Sequence, residues 1–85
     1  MTIIQKKVQK KYFEQVLKGK KNWEFRLNDF KIKEGDILEL LEVGKNKKPT
    51  GRKLRKKVRN VIKFKPTDFY KLDKMKKKGV QIITF

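Results

Sequence analysis

The longest apolar cluster in this chain runs from Ile37 to Val43, and two glutamates, Glu39 and Glu42, break even that run. Everywhere else lysines and arginines are interleaved with the apolar residues. Nothing approaches the roughly 18 consecutive apolar residues of a membrane span. A chain of 85 residues with 36% hydrophobic content makes one small domain, residues 1–85, with a modest core. That core is expected to centre on Ile37–Val43, read as a strand buried largely on both faces. With 26 basic and 9 acidic residues the formal net charge is +17. Self-repulsion then works against compaction, and an anionic partner would relieve it.

The residue types that are missing exclude whole classes of chemistry. The chain has no Cys, no His and no Ser. Disulfides, thiolate metal sites and cysteine nucleophiles are therefore ruled out, as are the usual zinc sites, His general bases and Ser–His–Asp catalysis. Any catalysis must use Lys, Glu, Asp, Arg, Tyr or Thr. No cofactor and no metal is expected. Lys6, Lys7, Lys10 and Lys11 interrupt any signal-like stretch after Met1. The expectation is a soluble cytoplasmic chain with no membrane role.

The charge is lopsided. Residues 1–44 carry a net charge of +3, and residues 45–85 carry +14. Between Lys45 and Arg59 there are nine basic residues and no acidic one. No internal repeat or Gly/Ser linker divides the chain.

Periodicity gives five strands and two helices. Thr2 to Val8 reads as a first strand. Tyr12, Phe13, Val16 and Leu17 mark one face of a short helix that Gly19 stops. Asn22 to Arg26 alternates, with Trp23 and Phe25 on one side and Asn22, Glu24 and Arg26 on the other. The aromatic side is assigned to the core. Leu54, Val58, Ile62 and Phe64 keep one parity along a long basic strand, which Lys56 and Asn60 interrupt. Pro66-Thr67 opens a second helix with Phe69, Leu72 and Met75 inward, and Val80, Ile82 and Ile83 build a final strand. The expected order is β-α-β-β-β-α-β. The expected α+β architecture is a small mixed, mostly antiparallel β-barrel with two covering helices.

Residues 19–26, Gly-Lys-Lys-Asn-Trp-Glu-Phe-Arg, place three charged groups of opposite sign close together. Glu24 and Arg26 share a strand face roughly 6–7 Å apart, and Lys21 stands at the strand entrance. A lysine beside another cation and partly desolvated is a base or nucleophile, with Glu24 as its acid/base partner. The same three groups can instead bind: Glu24 accepts from an amine, and Arg26 holds a phosphate or carbonyl oxygen. Exposed ion pairs on a solvated strand are the plain alternative.

This octapeptide fits G-x-K-x-x-E-x-R and resembles the signature of the ASCH domain, a member of the PUA-like superfamily. Further segments resemble the same family in the same order: Tyr12-Phe13 with Val16, Asn28-Asp29, Lys33-Glu34-Gly35-Asp36-Ile37-Leu38, Thr50-Gly51-Arg52, and Gly79 to Phe85. The resemblance implies a PUA-like barrel with a cleft lined by the signature strand, and binding of RNA or nucleosides. Some small relatives are amidohydrolases on N4-acetylcytidine, in which the signature Lys is catalytic, and another has ribonuclease activity. In the amidohydrolases a Thr stands where Glu24 stands here, and a Glu from the later helix assists. Here that helix offers only Asp68 and Asp73.

The expectation carried forward is an RNA- or single-stranded-nucleic-acid-binding domain. Lys21, Glu24 and Arg26 receive a base, and the basic run, through Lys47, Lys48, Arg52, Lys53, Arg55, Lys57 and Arg59, grips phosphates. The enzymatic alternative places catalysis on Lys21 and Glu24.

Overall fold

β3, Ile37–Val43, is the strand on which the architecture is built. The computed structural model describes residues 2–64 and 79–85. In it β3 lies at the centre of a three-stranded sheet, with β1 (Ile3–Gln9) parallel on one side and β4 (Pro49–Lys57) antiparallel on the other. A second three-stranded sheet has β6 (Val80–Thr84) at its centre, flanked antiparallel by β2 (Trp23–Leu27) and β5 (Asn60–Phe64). One α-helix is described, α1 (Lys10–Leu17), which follows β1 directly. Between the sheets Val8, Phe13, Val16, Ile32, Leu38, Leu40, Val58 and Ile83 form the core. Among the described residues no helix is long and apolar enough to cross a membrane.

The expected closed barrel is not what forms: the strands make two open sheets. The chain passes covalently from one sheet to the other between β4 and β5. Closing the ring would require β1 and β2 to pair, and they share no ladder. A side chain bridges that gap instead: Arg26 Nη2 on β2 donates to the Lys7 carbonyl on β1 at 2.6 Å. The second helix expected over Pro66 to Met75 lies outside the described residues.

The long basic strand also divides in two. Val58 is 1% exposed, and the turn before β3 takes both of its backbone groups. Val58 N–H donates to the Asp36 carbonyl at 2.8 Å, and its own carbonyl accepts from Gly35 N–H at 2.9 Å. The next residue, Arg59, donates its N–H to Thr84 of the other sheet at 2.7 Å. Buried Val58 is thus a corner at which the chain changes sheets. Its parity matches Leu54 and Ile62 on either side, which is why one continuous strand is the simpler reading of the sequence.

The α1 exit follows the expected pattern. Lys18, Gly19 and Lys20 donate their N–H groups to Glu14, Val16 and Gln15 carbonyls. Gly19 sits at φ +74°, the left-handed geometry that a glycine adopts without steric cost.

One arginine ties α1, β3 and β4 together. Arg52 donates to both oxygens of the buried Glu42 carboxylate, through Nε at 3.0 Å and Nη2 at 2.5 Å, and also to Glu14 on α1. Its guanidinium lies 5.0 Å from the centroid of the Phe13 ring. The Thr50 hydroxyl donates to the same Glu42 at 2.6 Å. Arg52, and after it Thr50, hold the Glu42 carboxyl down to about 2. Arg52 also holds Glu14 below the usual carboxylate range. On the other face of β3, Arg55 and then Gln5 do the same for Glu39.

A carboxyl with a lowered folded-state pKa contributes stability that is present above its unfolded value and lost as pH falls through its folded value. For Glu42 that window runs from 4.5 down to about 2. The thermal midpoint followed by circular dichroism should therefore hold steady from pH 7 to pH 5 and fall progressively towards pH 2. In Glu42→Gln it should start lower and fall less steeply. Parallel curves for the two proteins would show that this carboxylate is not held as described.

Candidate functional site

The site is built by the exit of α1 and the strand that follows. Lys20 and Lys21 both donate their N–H groups to the Gln15 carbonyl, which fixes the chain at the entrance of β2. β2 then pairs with β6 in a register that sets Glu24 opposite Ile83 and Phe25 opposite Ile82. Ile83 is fully buried, so Glu24 shares its inward face. The faces of β2 are therefore the reverse of the expected ones. Glu24 is 4% exposed, while Trp23 and Phe25 are 45% and 43% exposed. A strand has two faces, and a register that differs by one residue exchanges them. The aromatic pair loses the inward face because Ile83 lies opposite Glu24.

A buried carboxylate needs partners, and two cations supply them. Lys21 Nζ donates to Glu24 Oε1 at 2.9 Å, and Arg26 Nε donates to Glu24 Oε2 at 3.0 Å. The Lys21 ammonium also lies 4.8 Å from the ring centroids of both Tyr12 and Trp23. Arg26 reaches on across the gap between the sheets to the Lys7 carbonyl. The Lys21 amine is thus held by a carboxylate that stands between it and Arg26. The geometry suits a lysine that binds and holds.

These groups lie in a cleft of about 600 Å³ along the unpaired edges of β1 and β2. Its wall combines four cations (Lys7, Lys21, Arg26 and Lys47) with the buried Glu24 and the rings of Tyr12, Trp23 and Phe25. Lys47 reaches it from the β3–β4 hairpin, where a single 3-10 turn, Lys45–Lys47, stands at the tip. Asn46 and Lys47 adopt φ values of +60° and +57°, a left-handed conformation uncommon for side chains other than glycine.

The residues expected to bind a base or to grip phosphates are thus sorted into groups. Lys21, Glu24, Arg26 and Lys47 share the cleft. Lys53, Arg55 and Lys57 are exposed on β4. Arg55 Nε donates to Glu39 at 2.6 Å while its side chain stays 59% exposed. Arg52 is committed to Glu42 and Glu14 and serves the fold. Lys48 and Arg59 are exposed and lie outside the cleft wall. Phe30 packs against the core beneath the Lys6 ammonium, which lies 3.7 Å from its ring centroid.

Sequence reasoning missed the acids that hold the arginines, Glu14, Glu39 and Glu42, and the cleft lysine Lys7. For Glu39 a signal was present. Counting back from the hairpin tip sets Glu39 opposite a cation, Lys53, and the register shift between Leu41 and Val43 moves its partner on to Arg55; opposite charges in that relation attract. Lys7 left no signal, because its place depends on two edges that lie 19 residues apart from Lys7 to Arg26.

A family model described as a domain of unknown function (DUF3850) matches residues 4–74 of the chain. The crystal structure of hypothetical protein PH0355 is similar, with a TM-score of 0.69 and 24% sequence identity, covering 99% of this chain and 96% of that one. At that identity the likeness is one of fold. No curated protein matches the chain.

The clamp on Glu24 sets its energetic role. Removing the carboxylate leaves two cations facing each other in a partly buried site. Charge-assisted hydrogen bonds contribute about 1.5–3 kcal/mol each. Glu24→Ala should lower unfolding stability by about 2 kcal/mol in urea titrations, and Glu24→Gln should lower it by less. An alanine variant as stable as the parent would mean that the carboxylate is solvated rather than clamped.

Proposed function

The chain belongs to the DUF3850 family, and from the geometry of its cleft we propose that it binds RNA or another single-stranded nucleic acid, receiving one nucleotide between β1 and β2. The observation that carries this reading is a buried carboxylate, held by two cations, inside a cationic cleft with aromatic walls. The likeness of Gly19 to Arg26 to the ASCH signature supports the same reading.

Each group has a role matched to its chemistry. Glu24 uses one lone pair of each oxygen on Lys21 and Arg26, and a carboxylate offers about four such sites, so it still accepts from an exocyclic amine. Arg26 presents its remaining N–H groups to a carbonyl or phosphate oxygen. Tyr12 and Trp23 offer faces against which a base stacks; such stacking contributes about 1–3 kcal/mol per base. Lys7 and Lys47 stand at the cleft as point charges for a phosphate.

Binding is measured by titrating the four ribonucleoside monophosphates, and short RNA and DNA oligonucleotides, at 50 and 200 mM salt. Saturable binding that weakens with salt is expected. Arg26→Ala should weaken mononucleotide binding by about tenfold, the effect of losing one charge-assisted contact. Glu24→Gln should shift the preference among the four bases, because an amide also donates where a carboxylate only accepts. Absence of saturable binding by every nucleotide and oligonucleotide at 50 mM salt would refute the reading.

A further inference from the structure

The register of the first sheet divides the basic run into two sets. Lys53, Arg55 and Lys57 of β4 lie opposite Leu41, Glu39 and Ile37 of β3. Those three β3 residues lie in turn opposite Lys7, Gln5 and Ile3 of β1. Residues opposite one another in a ladder share a face of the sheet. One face therefore carries a line of three cations along β4 and, beside it, the apolar residues Leu41, Ile37 and Ile3. Arg52, Leu54 and Lys56 have the other parity, and Arg52 is engaged by Glu42 and Glu14. The cationic face also runs into the cleft: Lys7 and Val43 belong to it and line the cleft wall.

We propose that this face is the track for a single strand whose first nucleotide occupies the cleft. Successive phosphates lie on Lys53, Arg55 and Lys57, and the unstacked bases lie over the strip of Leu41, Ile37 and Ile3. The proposal rests on the nucleic-acid reading above and adds path, strandedness and length to it.

Three observations carry it. The apolar strip is accessible: Ile3 is 48% exposed, and Ile37 and Leu41 are part-exposed. Such a strip is useful to unstacked bases and useless to a duplex, whose bases are already stacked inside. Second, the acid in the middle of the face does not repel a phosphate. Glu39 is 1% exposed and is held by Arg55 Nε at 2.6 Å and by the Gln5 amide at 2.6 Å. Third, that same bond orients Arg55. Its Nε is engaged by Glu39 while its side chain stays 59% exposed. A guanidinium fixed in this way loses less freedom on meeting a phosphate.

The track has a length. Three cations on β4 and one phosphate at the cleft make about four contacts, so the logarithm of affinity should fall with the logarithm of salt with a slope of about −3. Affinity for single strands should rise with length up to about four nucleotides and then level off.

The test is a fluorescence anisotropy series with single strands of one to eight nucleotides and one eight-base-pair duplex, on the parent and on a Lys53→Gln/Lys57→Gln double variant. Thermal midpoints check that the variant folds. The rise to about four nucleotides is expected, with the duplex bound at least tenfold more weakly than the single strand. In the double variant, oligonucleotide affinity should fall about tenfold and the salt slope should flatten by about 1.4, two contacts at 0.7 each, with mononucleotide affinity falling less than twofold. If mononucleotides bind but longer strands bind no tighter, or the double variant binds them as well as the parent, the track is wrong and the cleft reading stands. A duplex that binds as tightly as the single strand also overturns the track. Failure of mononucleotides and oligonucleotides alike overturns both proposals.

Discussion

Arg26 occupies the place where this fold would otherwise close. The two sheets join through the backbone at Val58 and face each other across the core, but the edges of β1 and β2 make no ladder. One guanidinium spans the gap, with Nε on the Glu24 carboxylate and Nη2 on the Lys7 carbonyl. The carboxylate is held in turn by Lys21, which lies between two aromatic rings. A backbone ladder would fill such a gap with paired amides and leave no room for a ligand. Side chains bridge the same distance and leave a cleft. Structural bridge and cleft wall are thus made from the same three residues, and their charge is what makes both possible.

The distribution of acids explains how a chain with a net charge of +17 folds at all. Four of the seven acidic residues among the described residues are buried: Glu24, Asp36, Glu39 and Glu42. Each is satisfied by specific donors. Glu24 takes Lys21 and Arg26, Glu39 takes Arg55 and Gln5, and Glu42 takes Arg52 and Thr50. Asp36 accepts from the N–H groups of Lys33 and Thr2, which fixes the turn before β3. The pairs draw basic strands onto the sheets, so part of the excess charge acts as adhesive. These four acids are then unavailable at the surface, so what the described residues present to solvent is more basic than their net count implies. That imbalance favours encounter with polyanions.

Local patterns announced local things. The largely buried strand at Ile37–Val43, the stop at Gly19, and the sharing of one strand face by Glu24 and Arg26 follow from spacing alone, and of the α1 face read from Tyr12, Phe13, Val16 and Leu17 only Phe13 and Val16 are buried. Three features did not, and each depends on a partner distant in sequence. Alternation shows that β2 has two faces, but only Ile83 opposite Glu24 decides which is buried. Parity carries one strand through Leu54, Val58 and Ile62, and only the engagement of Val58 by Gly35 and Asp36 turns it into a corner. A run of strands with good hairpin signals suggests a barrel, and nothing local reveals that its last two edges remain apart. The cleft was legible as a triad and illegible as a place, because Lys7 and Lys47 reach it from other parts of the chain.

The hairpin shows how neighbouring residues of one basic run divide between anchoring the fold and facing the cleft or solvent. Arg52 lies on the parity that faces α1 and anchors the base of the β3–β4 hairpin to Glu42 and Glu14. Lys47, at the tip, sits in a left-handed backbone conformation that most side chains avoid. Such a conformation persists only where the surrounding structure holds it, and the Arg52 anchor below and the Gly44 N–H to Lys48 carbonyl bond of 2.8 Å across the tip are what hold it. The anchored hairpin presents its lysine to the cleft at a fixed position instead of sampling solvent. Composition treats Lys47, Arg52, Lys53 and Arg55 as one patch. The fold treats them as a cleft contact, an anchor and two exposed cations on an open face, and this division follows from strand parity and from where three glutamates lie beneath them.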